Sequence, residues 1–234
     1  MIRPIIHHRL WHAPELNCRD EDAARWLGPW ERESLGELRD PSRRAAFFAG
    51  RMLVKRIILE EILARDSADN PAEPAEIEVL SRDGLGRSVQ PRVYLRGTQQ
   101  PWSVSIAHSG SAVLAAVSQG TDLSLGVDLT PREIRSPRFA QTWLTPAEQA
   151  ACSSVSCHLT IAQIWALKEA IYKAVGRGAP FVPASIEILP TGTGWSYRYR
   201  GVAPRTVPWV HLIAAGHHIA VLVAVINQGS ESLP

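Results

Sequence analysis

Glu169 and Lys173 stand four residues apart in LTIAQIWALKEAIYKAVGRG, residues 159–178. At that spacing a carboxylate and an ammonium share one helix face. Together they could hold a metal and a phosphate, or simply form a surface ion pair. A second carboxylate, Asp128, sits in LGVDLT, residues 125–130. The apolar-Gly-apolar-Asp pattern puts it at or near a strand end, although an aspartate before Pro131 can also serve to turn the backbone. Magnesium is small and hard, and takes one or two carboxylates, several waters and a substrate phosphate oxygen. Asp128 and Glu169 from separate elements, with Lys173 alongside, would suit a magnesium and diphosphate site. His108, in a loop with Ser109 and Gly110, is either a phosphate donor beside backbone N–H groups or a satisfied structural histidine.

Several elements must position these residues. The helix around Glu169 is amphipathic, with Ile161, Ile164, Trp165, Leu167 or Lys168, Ile171, Ala174 and Val175 at helical spacing, and Gly176 and Gly178 to stop it. An earlier helix starts at Asp40-Pro41, an N-cap followed by proline. Its core face carries Phe47, Phe48, Met52, Leu53, Ile57, Ile58, Ile62 and Leu63, while Arg51 and Lys55 share another. Shorter helices are expected near residues 23–27 and 30–38. Residues up to Trp11 read as a strand, followed by strands at 76–80, 93–95 and 102–106, and His108-Ser109-Gly110 forms the tip of a hairpin returning through 112–117. Thr130-Pro131-Arg132-Glu133 and Thr145-Pro146-Ala147-Glu148 both have the form of capping boxes.

The second half echoes the first in order. IEIL (186–189) follows IEVL (77–80), Tyr199-Arg200-Gly201 follows Leu95-Arg96-Gly97, Pro208-Trp209 follows Pro101-Trp102, and AVLVAV (220–225) follows AVLAAV (112–117). The expected fold is therefore α+β, with two pseudo-repeats, residues 1–118 and 119–234. Each would be a long helix packed on a small, mainly antiparallel sheet, with the active site in a cleft between them.

Composition sets the outer limits. Of the 234 residues, 45% are hydrophobic and 21% charged, enough to bury a core. A formal net charge of +2 gives no bulk attraction for nucleic acid. Three cysteines without metal-ligand spacing indicate neither a disulfide scaffold nor a zinc site. The N-terminus lacks a signal-peptide pattern, and the run 219–226 is too short to span a bilayer. A cytoplasmic protein with no membrane association is expected.

GVD, followed by W-x-x-K-E-A-x-x-K as Trp165, Lys168, Glu169, Ala170 and Lys173, resembles the signature of the 4′-phosphopantetheinyl transferases. The resemblance extends to Ala49-Gly50-Arg51-Met52-Leu53, to Gly86-Arg87 where the family has Gly-Lys-Pro, and to Ser105-Ile106-Ala107-His108-Ser109 at the Ser-His-Ser strand end. Thr145 and Glu148 fall where the family begins a short helix after GVD. The two repeats are similar to the long, single-chain, pseudo-dimeric (surfactin-synthetase-activating) type.

That resemblance implies magnesium-dependent transfer of the phosphopantetheine arm of coenzyme A to a serine of an apo acyl or peptidyl carrier protein, releasing 3′,5′-ADP. Asp128 and Glu169 would hold the metal. Glu169, or a water on the metal, would take the serine proton, and Lys173 would stabilise developing phosphate charge or help the leaving group. Arg51, Arg87, His108 and Ser109, with Lys173, would bind coenzyme A, His108 being favoured for the 3′-phosphate. A working monomer is expected, since two repeats are already fused. Three positions depart from the family pattern: Thr130 replaces the second acid of D-x-E, Ala107 replaces a serine, and Arg87 replaces a lysine. With Thr130, a water would fill a coordination position, giving weaker magnesium binding or a changed metal preference. The strip Arg132, Arg135 and Arg138, with Ile134 and Phe139, could dock an acidic carrier or be a solvated helix with its apolar side in the core. Rival readings are a non-catalytic coenzyme A or carrier-binding homologue and a different magnesium-dependent phosphate enzyme.

Overall fold

In the computed structural model the opening segment is a strand, β1 (Ile6–His12), and the chain is described over residues 5–12, 19–63, 71–82, 88–133, 137–153, 160–176, 180–191, 194–201, 205–207 and 209–226. Two units emerge from the contacts within the chain, Met1–Leu123 and Ser124–Pro234.

In the first unit, β1 is followed by α1 (Asp20–Trp26), α2 (Pro29–Glu37) and α3 (Pro41–Ile57). Asp40 caps α3 by accepting from Arg43 N at 2.7 Å, and Pro41 takes the first helical position, as the sequence implies. The helix then widens into a π turn over Ile58–Ile62. The strands β2 (Ile77–Arg82), β3 (Ser88–Leu95) and β4 (Thr98–Gln99) form one sheet, while β1 joins β5 (Trp102–Ser109) and β6 (Ala112–Gln119) in another, ordered β1-β6-β5. Pairing within both sheets is antiparallel. Ala49, Leu53, Val54 and Ile57 of α3 pack on valines from β2, β3, β5 and β6 to make the core.

The second unit repeats this plan. The strand β7 (Leu123–Pro131) leads to α4 (Pro137–Trp143), α5 (Pro146–Ser153) and the long α6 (Ile161–Val175). Then come β8 (Ile186–Thr191), β9 (Gly194–Tyr199), β10 (Arg205–Val207), β11 (Trp209–Ala215) and β12 (His218–Ile226), in sheets ordered β10-β9-β8 and β11-β12-β7. Ile164, Leu167 and Ile171 of α6 pack on Ile186, Ile188, Val221 and Val223. The chain is thus α+β, with a long helix on small antiparallel sheets in each half.

The repeat has a physical cause at several positions. Arg96 and Gly97 take positive φ, 50° and 77°, the backbone that the two-residue turn between Leu95 and Thr98 requires, and Arg200 and Gly201 repeat those values at 51° and 74°. Deeper still, each unit buries one Glu–Lys pair. Glu31 meets Lys55 Nζ at 2.5 Å, accepts from Gly28 N at 3.0 Å and from Val79 N at 2.8 Å, while Lys55 also donates to Trp26 O. Glu148 meets Lys168 Nζ at 2.6 Å and accepts from Thr145 N and Ile188 N, both at 2.7 Å, while Lys168 donates to Trp143 O. The segments behind them, Trp26-Leu27-Gly28-Pro29-Trp30-Glu31 and Trp143-Leu144-Thr145-Pro146-Ala147-Glu148, are a further echo in the sequence.

Lys55, which shares a helix face with Arg51, is fully buried against Glu31. Three expectations change. Thr130-Pro131 does not cap a helix, because both residues belong to β7. His108 and Ser109 are not at a turn tip; they end β5, paired with Val113 and Ala112, and Gly110 makes the turn with φ 57°. The strand expected at 93–95 starts earlier, at Ser88. Asp83-Gly84-Leu85-Gly86, a turn by its composition, lies outside the described residues.

Candidate functional site

Gly126 in β7 is where the site begins. A Cβ built there would overlap the carbonyl oxygen of Ala170 and lie 2.7 Å from its carbonyl carbon and 3.0 Å from Ala174 N. Only glycine lets the strand backbone approach α6 this closely. Side chains alternate along a strand, so Asp128 and Thr130 follow Gly126 on the face turned to the helix. The strand therefore delivers its carboxylate against the helix that carries Glu169 and Lys173. Thr160 caps that helix reciprocally with Gln163, accepting from Gln163 N at 3.2 Å while Gln163 Oε1 accepts from Thr160 N at 2.8 Å.

Lys173 Nζ donates to Asp128 Oδ1 and to the carbonyl of Val127, both at 2.9 Å, and lies 3.8 Å from Glu169 Oε2. The i,i+4 contact is thus the weaker of its ionic contacts. Side-chain exposure is 6% for Asp128 against 28% for Lys173 and 29% for Glu169, so the group is a half-buried cluster, not a solvated surface pair. Thr130 Oγ1 donates to the other Asp128 oxygen, Oδ2, at 2.7 Å.

Burial pushes the Glu169 carboxyl up to about 7; the nearby Asp128 carboxylate, which can also accept a hydrogen bond from it, adds to the rise, and Lys173 and Trp165 oppose it. Burial, with a second carboxylate nearby, keeps a proton on the pair near neutrality. A hard divalent cation between them would displace that proton and cancel the repulsion, so the donor set fits such an ion. Among the described residues there is no group of three or more His, Cys, Asp or Glu side chains that could hold a metal, so the fit rests on this pair with water and substrate oxygens.

What holds α6 in place is the other charged residue of the motif. Lys168, adjacent to Glu169, points away into the core, where it pairs with Glu148 and donates to Trp143 O and Pro183 O, each at 3.1 Å. Burial lowers its ammonium below the usual range. Sequence reasoning assigned Lys168 no function, although its place on the apolar stripe was a signal that it is buried. Trp165, on the flank of the helix, packs edge-on against Phe139 (4.9 Å) and Phe181 (5.6 Å). Phe139 is thereby used in the core, leaving Arg132 and Arg138 exposed; Ile134 and Arg135 lie outside the described residues.

The other sequence-derived residues belong to the first unit. Arg51 on α3 lies over the Phe47 ring at 3.6 Å and donates to Ser81 Oγ at 2.5 Å, while its enclosed Nε has no hydrogen-bond partner. Burial lowers its guanidinium to about 10, against an upward pull from Glu31. It lines a cavity of about 700 Å³ with Ser81, Arg82, Arg92, Trp30 and Tyr94, and sequence reasoning missed this cavity because its walls come from four separate elements. His108 is exposed and Ser109 half-buried at the end of β5. Gly86 and Arg87 lie outside the described residues.

No helix among the described residues is long and apolar enough to cross a membrane. No curated protein matches the chain. Residues 124–222, from the start of β7 through most of β12, match the family model of the 4′-phosphopantetheinyl transferase superfamily. The stretch that holds Asp128, Thr130, Glu169 and Lys173 is therefore a 4′-phosphopantetheinyl transferase superfamily domain.

Proposed function

We propose that the chain transfers the 4′-phosphopantetheine arm of coenzyme A to a serine hydroxyl of an apo acyl or peptidyl carrier protein, with magnesium as cofactor. The observation that carries this is the Asp128–Glu169–Lys173 cluster lying inside the superfamily domain. In the transfer, the serine oxygen bonds to the phosphorus bearing the pantetheine arm, and the bond from that phosphorus to the leaving 3′,5′-ADP breaks. Asp128 and Glu169 hold the magnesium, which when bound neutralises diphosphate charge. Glu169, or a water on the metal, takes the serine proton. Lys173, fixed by Asp128 and Val127 O, presents its charge to the phosphate oxygens as negative charge moves to the leaving group.

Arg51, Arg87, His108 and Ser109 bind the phosphates at the nucleotide end of coenzyme A. The buried cation and unpartnered Nε of Arg51, with Arg82 and Arg92 lining the same cavity, support this assignment for Arg51. Incubation with coenzyme A, magnesium and an apo carrier protein should add a phosphopantetheine mass to the carrier. The gain should vanish with Asp128→Ala and with Glu169→Ala. A mass gain that survives both substitutions would refute the site.

The subtype is the long, single-chain one, supported by the repeated Glu–Lys pairs. The acidic carrier docks against Arg132 and Arg138, both exposed. Replacing both by Glu should raise KM for the carrier about fivefold, since an exposed charge pair contributes about 0.2–1 kcal/mol, and leave coenzyme A affinity unchanged. An unaltered KM would remove the docking surface.

A further inference from the structure

We propose that Thr130 is a positioning residue that holds Asp128 to one-oxygen coordination and so biases the site towards magnesium over calcium. The proposal rests on Asp128 and Glu169 being the metal ligands. Its basis is the hydrogen bonding of one carboxylate. Asp128 Oδ2 accepts from Thr130 Oγ1 at 2.7 Å, and Oδ1 accepts from Lys173 Nζ at 2.9 Å. Asp128 and Thr130 are 4% and 5% exposed, so water is poorly placed to replace either bond. Threonine is stiff about χ1, and its strand is fixed against α6 by the close approach at Gly126. The hydroxyl therefore arrives already aimed.

The two cations respond differently to such a carboxylate. Calcium takes six to eight oxygens in flexible geometry and often binds a carboxylate through both oxygens. To offer both, Asp128 would have to use the lone pairs that Thr130 and Lys173 leave open, in the one orientation those two hydrogen bonds fix. Magnesium demands a near-octahedral shell, keeps several waters and accepts a carboxylate through one oxygen. An acid at position 130 would add charge that favours either ion. A threonine adds none, and acts by restricting the orientation of its neighbour.

The test is calorimetric titration of the full chain with magnesium alone and with calcium alone, for wild type, Thr130→Val, Thr130→Ser and Glu169→Ala, together with the melting temperature of each without metal. Thr130→Val should weaken magnesium binding about tenfold, the usual cost of losing a residue that orients a ligand. It should weaken calcium less, so that the preference for magnesium narrows, and Thr130→Ser should restore both. A merely structural threonine would lower the melting temperature and leave the magnesium-to-calcium ratio untouched, which would overturn the proposal. So would a serine variant that behaves like valine. Magnesium binding lost in Glu169→Ala yet indifferent to Thr130→Val would overturn this proposal alone. If wild type binds neither cation, the assignment of Asp128 and Glu169 as ligands falls with it.

Discussion

A carboxyl group half-protonated at neutral pH is costly in a folded protein, and Glu169 is one because burial and Asp128 both oppose its charge. The folded chain therefore holds a proton between the ordinary glutamate range near 4.5 and about 7, where the unfolded chain has lost it. More protons on the folded state means that stability falls as pH rises through that window. Wild type without metal should show a lower urea midpoint at pH 7.5 than at pH 5, and Glu169→Gln should remove part of that difference. Adding magnesium at pH 7.5 should recover part of it, since the ion binds the deprotonated pair. A pH dependence identical in wild type and Glu169→Gln would mean that the carboxyl titrates normally. At this scale the sequence was partly informative. It presented Glu169 and Lys173 as neighbours on one helix, but that Lys173 bonds Asp128 more closely than Glu169 depends on how near the strand comes to the helix. That Thr130 bonds Asp128, instead of capping a helix, follows from β7 running on through Pro131.

At the scale of elements, the site depends on one strand lying against one helix. Gly126→Ala would drive a methyl group into the Ala170 carbonyl, and backbone cannot rotate aside as a side chain can. The substitution should cost roughly 3 kcal/mol in urea unfolding, at the upper end for overpacking, and should lower magnesium affinity by moving Asp128 away from Glu169. A neutral variant with full metal affinity would show that β7 and α6 are not in such tight contact. The helices were the most legible elements: Asp40-Pro41 starts α3, and Thr145 and Glu148 cap α5 reciprocally. The strand ends were less so, as β5 runs through His108 and Ser109 into its turn. Least legible were the buried charges. Glu148 reads locally as a cap residue, which it is, but its second role against Lys168 joins positions 20 residues apart in the chain. Periodicity alone left Leu167 and Lys168 as alternatives on the apolar face, and both are buried there.

Over the whole molecule, the repeat is close in its scaffold and divergent in its chemistry. Each unit keeps a Glu–Lys pair with essentially no exposure, fastening its long helix to the first turn of a shorter one. Breaking such a pair leaves a buried charge without its partner, costing about 3–5 kcal/mol, which accounts for a motif kept in duplicate within one chain. Five residues beyond the buried lysine, the two units part. In the first, Glu60 pairs with Arg9 of β1 at 2.6 Å; in the second, Lys173 pairs with Asp128 of β7 at 2.9 Å. The charges are reversed, and the position after the lysine is Arg56 in one unit and Glu169 in the other. The second unit therefore brings Asp128 and Glu169 to one lysine, and the superfamily match at residues 124–222 falls there. The central claim is that this cluster supports phosphopantetheine transfer to a carrier serine. Its most direct test is the intact mass of an apo carrier protein after incubation with the full chain, coenzyme A and magnesium, beside a carrier whose acceptor serine is replaced by alanine. The account predicts one phosphopantetheine added to the serine-containing carrier, none to the alanine form, and none with Glu169→Ala. An unchanged carrier mass across several acyl and peptidyl carriers, with coenzyme A bound but intact, would contradict it.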